Sequence, residues 1–223
     1  MKKLIIFSGA GISAESGLST FRDSGGLWDQ YPIGEVATYD AWLRNPKKVT
    51  EFYNLRRKNC IKAKPNDAHF KIASLEKDFK VTVITQNIDD LHERAGSKKI
   101  IHLHGEIMKS RSTVTNKTYL IDGYKINEND LCPDGHQLRP HVVWFGENVP
   151  NMDVAMKLIA DADVFVIIGT SLQVYPAAGL IHATKRECLR YIIDPKDVEV
   201  PVDVTHIKKM GSEGIKELIS LIK

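Results

Sequence analysis

The strongest constraint on this chain is a rhythm. Short apolar runs rich in β-branched residues recur at Leu4–Phe7, Val81–Thr85, Ile100–Leu103, Val142–Phe145, Val164–Ile168 and Tyr191–Ile193. Each is of strand length, and several stop at glycine or a polar residue. Helical patterns lie between them, as at Asp67–Phe79, Asp89–Ala95, Asp153–Ala160 and Ser212–Ile222. Buried strands alternating with helices specify an α/β fold, a parallel sheet covered on both faces. The rhythm breaks twice. Phe21–Pro65 has aromatics and helical character without a convincing strand, and Glu106–Pro140 is polar and rich in turns. Both read as insertions, at about 30–66 and 106–140, that build a small module beside the sheet of a single domain spanning 1–223.

Composition removes several classes. At 223 residues the chain can bury a full core, and a net charge of +3 lacks the electrostatic footprint of a dedicated nucleic-acid binder. Lys47-Lys48, Arg56-Arg57-Lys58 and Lys98-Lys99 are too short to argue otherwise. Cys60, Cys132 and Cys188 are odd in number, widely spaced and without a C-x-x-C pair, so they fit neither a disulfide framework nor a four-cysteine zinc site. The start Met1-Lys2-Lys3 precedes an apolar run of only four residues before Ser8, too short for a signal peptide. No apolar stretch reaches the roughly 18 residues of a membrane span. The expectation is a cytoplasmic protein, folded from its initiator methionine, with neither nucleic acid nor membrane as partner.

The strand tips carry the candidate chemistry. Ser8-Gly9-Ala10-Gly11-Ile12-Ser13-Ala14 fits a strand-to-helix G-x-G-x-x-A turn, in which glycines let backbone approach a pyrophosphate and a helix N-terminus offers N–H groups. A plain tight turn is the alternative. The acid that a dehydrogenase fingerprint wants about 20 residues on would fall in Gly25–Asp29, which reads as a loop. Gln86-Asn87-Ile88-Asp89 follows the second strand, at the sheet edge where open α/β folds bind ligands; helix capping explains one of these polar residues but not the run. The third strand ends His102-Leu103-His104-Gly105, and alternation puts both histidines on one face. No cysteine or carboxylate with ligand spacing accompanies them, so His104 reads better as a general base than as a metal ligand, and His102 as a structural histidine. Gly169-Thr170-Ser171 closes the set, and four strand ends converge on one edge.

Taken in order, Gly9–Ser13, Gly17 through Phe21-Arg22-Asp23, Thr85–Asp89, His104-Gly105, Pro140-His141-Val142-Val143-Trp144-Phe145-Gly146-Glu147 and Gly169–Ser171 resemble the sirtuin family of NAD-dependent protein lysine deacylases over nearly the whole chain. The resemblance implies a Rossmann-like large domain, an NAD site between it and the small module, and acylated lysines of proteins or peptides bound by strand addition, with Phe145, Gly146 and Val174 among the peptide contacts. It gives Gly9, Ala10, Gly11, Ile12 and Ser13 to the pyrophosphate and Phe21 and Arg22 to covering the cofactor. Gln86, Asn87, Ile88 and Asp89 go to the nicotinamide and its ribose, and Gly169, Thr170, Ser171, Asp194 and Gly211 to further cofactor contacts. It further implies that NAD is consumed: nicotinamide leaves, the acyl-lysine oxygen attacks the ribose carbon, and His104 deprotonates a ribose hydroxyl that then attacks the acyl carbon. The products are free lysine, nicotinamide and an O-acyl-ADP-ribose, and no catalytic metal is needed.

Two departures sharpen the expectation. Family members usually hold a structural zinc with two cysteine pairs; here Ser110-Arg111-Ser112 and Leu131-Cys132-Pro133-Asp134-Gly135-His136 stand in those places, so no zinc is expected. Tyr53 and Arg56, three apart on one helix face, resemble the Tyr-x-x-Arg pair with which class III sirtuins, including bacterial members, read the distal carboxylate of succinyl, malonyl or glutaryl chains, and Ala37 matches a small residue that widens the tunnel. The same subgroup resembles deacetylases, so both activities are expected. The rivals are mono-ADP-ribosyl transfer, a catalytically idle NAD- or acyl-lysine-binding module, and a plain NAD oxidoreductase.

Overall fold

In the computed structural model the described residues are 1–20, 30–170, 172, 175, 177–199 and 201–223. The chain enters directly into β1 (Lys3–Ser8), which pairs in parallel with β2 (Lys80–Thr85) on one side. On the other side it pairs with β7 (Val164–Ile168). Outward from these lie β3 (Ile100–His102), β8 (Leu189–Ile193) and β9 (Val204–Ile207), giving a six-stranded sheet in the order β3-β2-β1-β7-β8-β9. All five pairings are parallel. The order reverses between β1 and β7, and such a reversal opens a crevice at the carboxyl ends of the strands.

Strand period two sends alternate residues to opposite faces, and both faces are covered. Leu4, Ile6, Val83 and Val166 pack with Ile72 of α5 (Asp67–Ser74) and with Ile215 and Leu218 of α8 (Gly211–Ile222). Ile5, Phe7, Phe165 and Ile167 pack with Ala155 and Ile159 of α7 (Met152–Ala160) and with the 3-10 segment Ala177–Ala183. The expected Asp67–Phe79 helix stops at Ser74 and continues as a 3-10 turn, Leu75–Lys77. Its start is set by Asn66, whose side chain accepts from the amides of Ala68 and His69, while the His69 ring accepts from the Asn66 amide. The expected Asp89–Ala95 helix is shorter, α6 (Leu91–Arg94).

The two insertions share a core of their own. The first supplies α2 (Ile33–Val36), α3 (Tyr39–Arg44) and α4 (Pro46–Lys62). The second supplies an antiparallel sheet, β5-β4-β6, made of β4 (Gly105–Ser112), β5 (Thr118–Leu120) and β6 (Leu138–Val142). Val36, Trp42, Val49 and Phe52 pack against Ile107, Val142 and Trp144. Here the sequence reading needs correction: Val142–Phe145 is no strand of the parallel sheet. The strand ends at Val142 and runs antiparallel to β4, and Phe145 bridges to Thr38 outside any strand. The polar stretch 106–140 therefore holds strands that turn-rich composition concealed.

Arg57 and Asn54 fasten α4 to this sheet. The fully buried Arg57 donates to the carbonyls of Ile107 (2.5 Å) and Tyr124 (2.9 Å) and to Asn54 Oδ1 (2.7 Å). The Asn54 amide donates to Ile126 O and accepts from Ile126 N, both at 2.9 Å, as a strand neighbour would. Burial of the guanidinium pushes its pKa down to about 10.

Candidate active site

A cleft of about 890 Å³ opens where the strand order reverses, between the sheet edge and the small module. Its floor is set by close packing of two loops. The Gly9 amide donates to Ile168 O and the Gly11 amide to Gly169 O (2.8 Å), so the loops after β1 and β7 are zipped together. A Cβ on Gly9 would lie 2.6 Å from Thr170 Cβ, and one on Gly11 would lie 2.8 Å from Gly169 Cα. These glycines are thus required by loop-on-loop packing, a reason different from the ligand approach expected from sequence. The amides of Ile12 and Ser13 donate to Gly9 O and Ala10 O, and α1 is the single turn Gly11–Ala14. Ala10, Gly11 and Ser13 line the cleft, whereas Gly9 and Ile12 do not; Ile12 belongs to the sheet core.

The loop after β2 is held rigidly. The Asn87 amide donates to Thr85 Oγ1 at 3.0 Å, and its Nδ2 donates to Gly9 O and Ser13 Oγ, each at 3.1 Å. Ser13 Oγ in turn donates to Asp89 Oδ2 at 3.0 Å. Burial pushes the Asp89 carboxyl up, against hydrogen bonds from the Leu91 amide and Ser13. Thr170 Oγ1 donates to Gln86 Oε1 at 3.0 Å, while Gln86 Nε2 is buried in the cleft wall with no partner. An orphaned amide donor beside Asn87 and Asp89 fits a ligand rich in acceptors, as NAD is.

His104 Nδ1 lies 3.0 Å from Gln86 O. A carbonyl only accepts, so Nδ1 carries the proton and the neutral ring keeps its lone pair on Nε2. Burial lowers the His104 pKa, which holds the ring in that base form at neutral pH. His102 behaves differently. The strand ends at His102 and the chain bends over Leu103 and His104, so His102 lines a separate groove while His104 lines the cleft, and the two histidines do not share a face as strand alternation predicted.

The third wall comes from the module. Glu147 ties residues 143–147 in place, accepting from Arg111 (2.7 Å), from Arg139 (2.8 and 2.9 Å) and from the Trp144 amide (2.8 Å). The Arg139 guanidinium stacks on the Trp144 ring at 3.3 Å. Tyr53, buried, and Arg56 both line the cleft, as do Ala37, Phe145 and Gly146. Burial raises the Tyr53 pKa, so the phenol stays protonated and able to donate. Sequence reasoning missed Cys60, which also lines the cleft; its spacing of four from Arg56 and seven from Tyr53 on α4 was the available signal.

Asp194, Gly211, Gly169 and Thr170 also line the cleft. Ile88, Gln86, Asn87 and Asp89 do so too. Phe21, Arg22, Ser171 and Val174 lie outside the described residues. Away from the cleft, where a zinc module would place two cysteine pairs, Ser112 Oγ accepts from the amides of Val114 and Thr115, and Cys132 sits in a turn closed by its amide's bond to His136 O. The donor set does not suit tetrahedral zinc: among the described residues no group of three or more His, Cys, Asp or Glu is placed to hold a metal.

Comparison with known proteins agrees with this geometry. Residues 9–176 match the model of the Sir2 family. An NAD-dependent protein deacylase of Bacteroides thetaiotaomicron is 51% identical over 230 residues, covering 100% of this chain and 98% of its own. One from Helicobacter pylori is 48% identical over 221 residues, covering 98% of this chain and 94% of its own. Among solved structures, a mutant Sir2 homologue in complex with ADP-ribose superposes with a TM-score of 0.92 at 39% identity, covering 99% of this chain and 91% of its own. A Sir2 homologue in complex with NAD gives 0.89 at 40% identity, covering 99% and 89%. The chain belongs to the Sir2 family, the sirtuins.

Proposed function

We propose that this sirtuin is an NAD-dependent protein lysine deacylase whose tunnel takes dicarboxylic acyl chains, succinyl and malonyl, as well as acetyl. The observation that carries the acyl reading is the placement of Tyr53 and Arg56 on one face of α4, both in the cleft wall, with the small Ala37 beside them. A guanidinium and a protonated phenol make charge-assisted hydrogen bonds to a carboxylate at the end of an acyl chain. NAD, the co-substrate, supplies a ribose carbon from which nicotinamide departs. Gln86, Asn87 and Asp89 bind and orient the nicotinamide end, Ala10, Gly11 and Ser13 the phosphates. His104 Nε2 accepts the ribose hydroxyl proton, and residues 143–147 receive the peptide backbone. The reading includes a cytoplasmic location and a small module that needs no zinc.

The test is paired. With NAD and matched acetyl- and succinyl-lysine peptides, followed by peptide mass and nicotinamide release, both acyl groups leave in the wild type. Arg56→Met costs desuccinylation about 10- to 100-fold in kcat/KM, the worth of a charge-assisted hydrogen bond of about 1.5–3 kcal/mol, and spares deacetylation. Equal loss of both refutes the assigned role. For the module, metal analysis of protein purified in metal-free buffer returns no stoichiometric zinc; one equivalent per chain overturns that part.

A further inference from the structure

The Gln86-Asn87 segment is gripped from behind by a pair of side chains that the deacylase reading leaves unused. The β2–β3 ladder ends at the Thr85–His102 pair and the bond from the Leu103 amide to Thr85 O. Beyond it, side chains replace strand pairing: His104 Nδ1 takes Gln86 O, and His102 Nδ1 takes Asn87 O at 2.9 Å. His102 Nε2 lies 2.8 Å from Glu93 Oε1 on α6. Both partners of the His102 ring are acceptors, so both ring nitrogens donate and the ring is an imidazolium. Burial alone would discharge it, but Glu93 and the Asn87 carbonyl more than offset burial and raise its pKa.

This bond completes the fixation of Asn87. Its amide, carbonyl and Nδ2 are held from β2, β3 and the β1 loop, leaving Oδ1 as its remaining hydrogen-bonding atom. His102 and Glu93 do not line the cleft; they face a groove shared with Glu106, Lys109 and His141, in which Glu106 and Lys109 pair with each other. They therefore act through Asn87 and not on the substrate.

We propose that the Glu93–His102 pair is a positioning device for the nicotinamide-binding segment: by holding the Asn87 carbonyl it sets the Asn87 side chain and Asp89 for cleavage of the nicotinamide–ribose bond. The inference rests on the reading of Asn87 and Asp89 as nicotinamide and ribose contacts.

The experiment uses the full chain with NAD and an acyl-lysine peptide. It measures exchange of labelled nicotinamide into NAD, kcat, KM for NAD, and the melting temperature of each variant. Misplacing a group that orients substrate by about 1 Å costs up to about 100-fold, so His102→Ala lowers exchange and kcat about 10- to 100-fold with KM for NAD little changed. His102→Asn keeps a donor at the Nδ1 position and restores most of the rate. His102→Gln, with its donor at the Nε2 position, does not, and this comparison stands even where His102→Ala fails to fold. Glu93→Ala shows the same kcat-selective loss at smaller amplitude. Wild-type exchange in His102→Ala, or Asn and Gln variants that behave alike, overturns the proposal. Asn87→Ala separates the two failures. If it also exchanges like the wild type, the nicotinamide reading falls and takes the proposal with it; if it is inactive while His102→Ala is not, only the positioning claim falls.

Discussion

Gly169→Ala tests the claim that the cleft floor is two loops packed too closely for any side chain. Gly169 has φ +65°, and a Cβ there would lie 2.2 Å from Ile12 N and 2.7 Å from Gly11 C. Both obstacles are backbone, so no rotamer change relieves them. Restoring ordinary contact requires the β7 tip and the β1 loop to part by about 1 Å. That movement costs about 1–3 kcal/mol as overpacking, and the left-handed conformation adds about 1–2 kcal/mol. The total of about 2–5 kcal/mol corresponds to a fall in melting temperature of about 4–20 °C for a chain this long. Parting the loops also strains the Gly11 N to Gly169 O bond of 2.8 Å and displaces Ala10 and Ser13, so KM for NAD rises as well. Gly123→Ala supplies the comparison: φ is +72° there and nothing lies within 4 Å, so it loses only the conformational part. Urea unfolding and NAD kinetics on the two variants settle the matter. Equal destabilisation in both, or a wild-type KM in Gly169→Ala, refutes the packing argument.

Asn54→Ala strips the amide that pairs with Ile126 and receives Arg57, leaving buried partners unpaired at a cost of about 2–4 kcal/mol; an unchanged urea midpoint would show that α4 is docked by something else. Folding stability also falls as pH drops below 6.5. Burial lowers the pKa of His69 to about 4, holds that of His92 well below 6.5 and lowers those of His104 and His141, so the unfolded chain binds more protons there. Each such histidine contributes a slope of at most about 1.4 kcal/mol per pH unit. His102, with its raised pKa, has the opposite sign: its contribution is complete below the unfolded value and is lost as pH rises through the folded one. Below pH 6.5 His102 adds no opposing slope, so acid destabilisation remains, and urea midpoints that stay flat from pH 7 to 5 contradict it.

What could be read in the sequence and what could not divide along a physical line. β1, β2, β7 and β8 are apolar on both faces, so each announces itself without knowledge of its neighbours. Their tips then had to hold the polar run Gln86–Asp89 and the Gly169-Thr170 turn at one edge, and they do. β4 is only half-buried, with Ser110 and Ser112 on its inward side and the charged Lys109 and Arg111 on the other, Arg111 paired with Glu147, so its alternation carries no apolar signal. Val142–Phe145 carried a strong signal that misled, because Val142 and Trp144 are apolar for the insertion core and not for the sheet. Arg57 stood in a basic run that reads as solvated surface; its burial depends on carbonyls of Ile107 and Tyr124, 50 and 67 residues away, which no local pattern encodes. The same holds for His102. Strand alternation placed it with His104, but the strand ends at His102, the chain bends over Leu103 and His104, and the His102 ring meets the carboxylate of Glu93. Local period thus reveals where a strand tip lies, whereas the direction of a side chain at that tip is set by acceptors supplied from elsewhere. That is why His104 could be a candidate base from sequence alone, whereas the contact between Glu93 and His102 could not be foreseen.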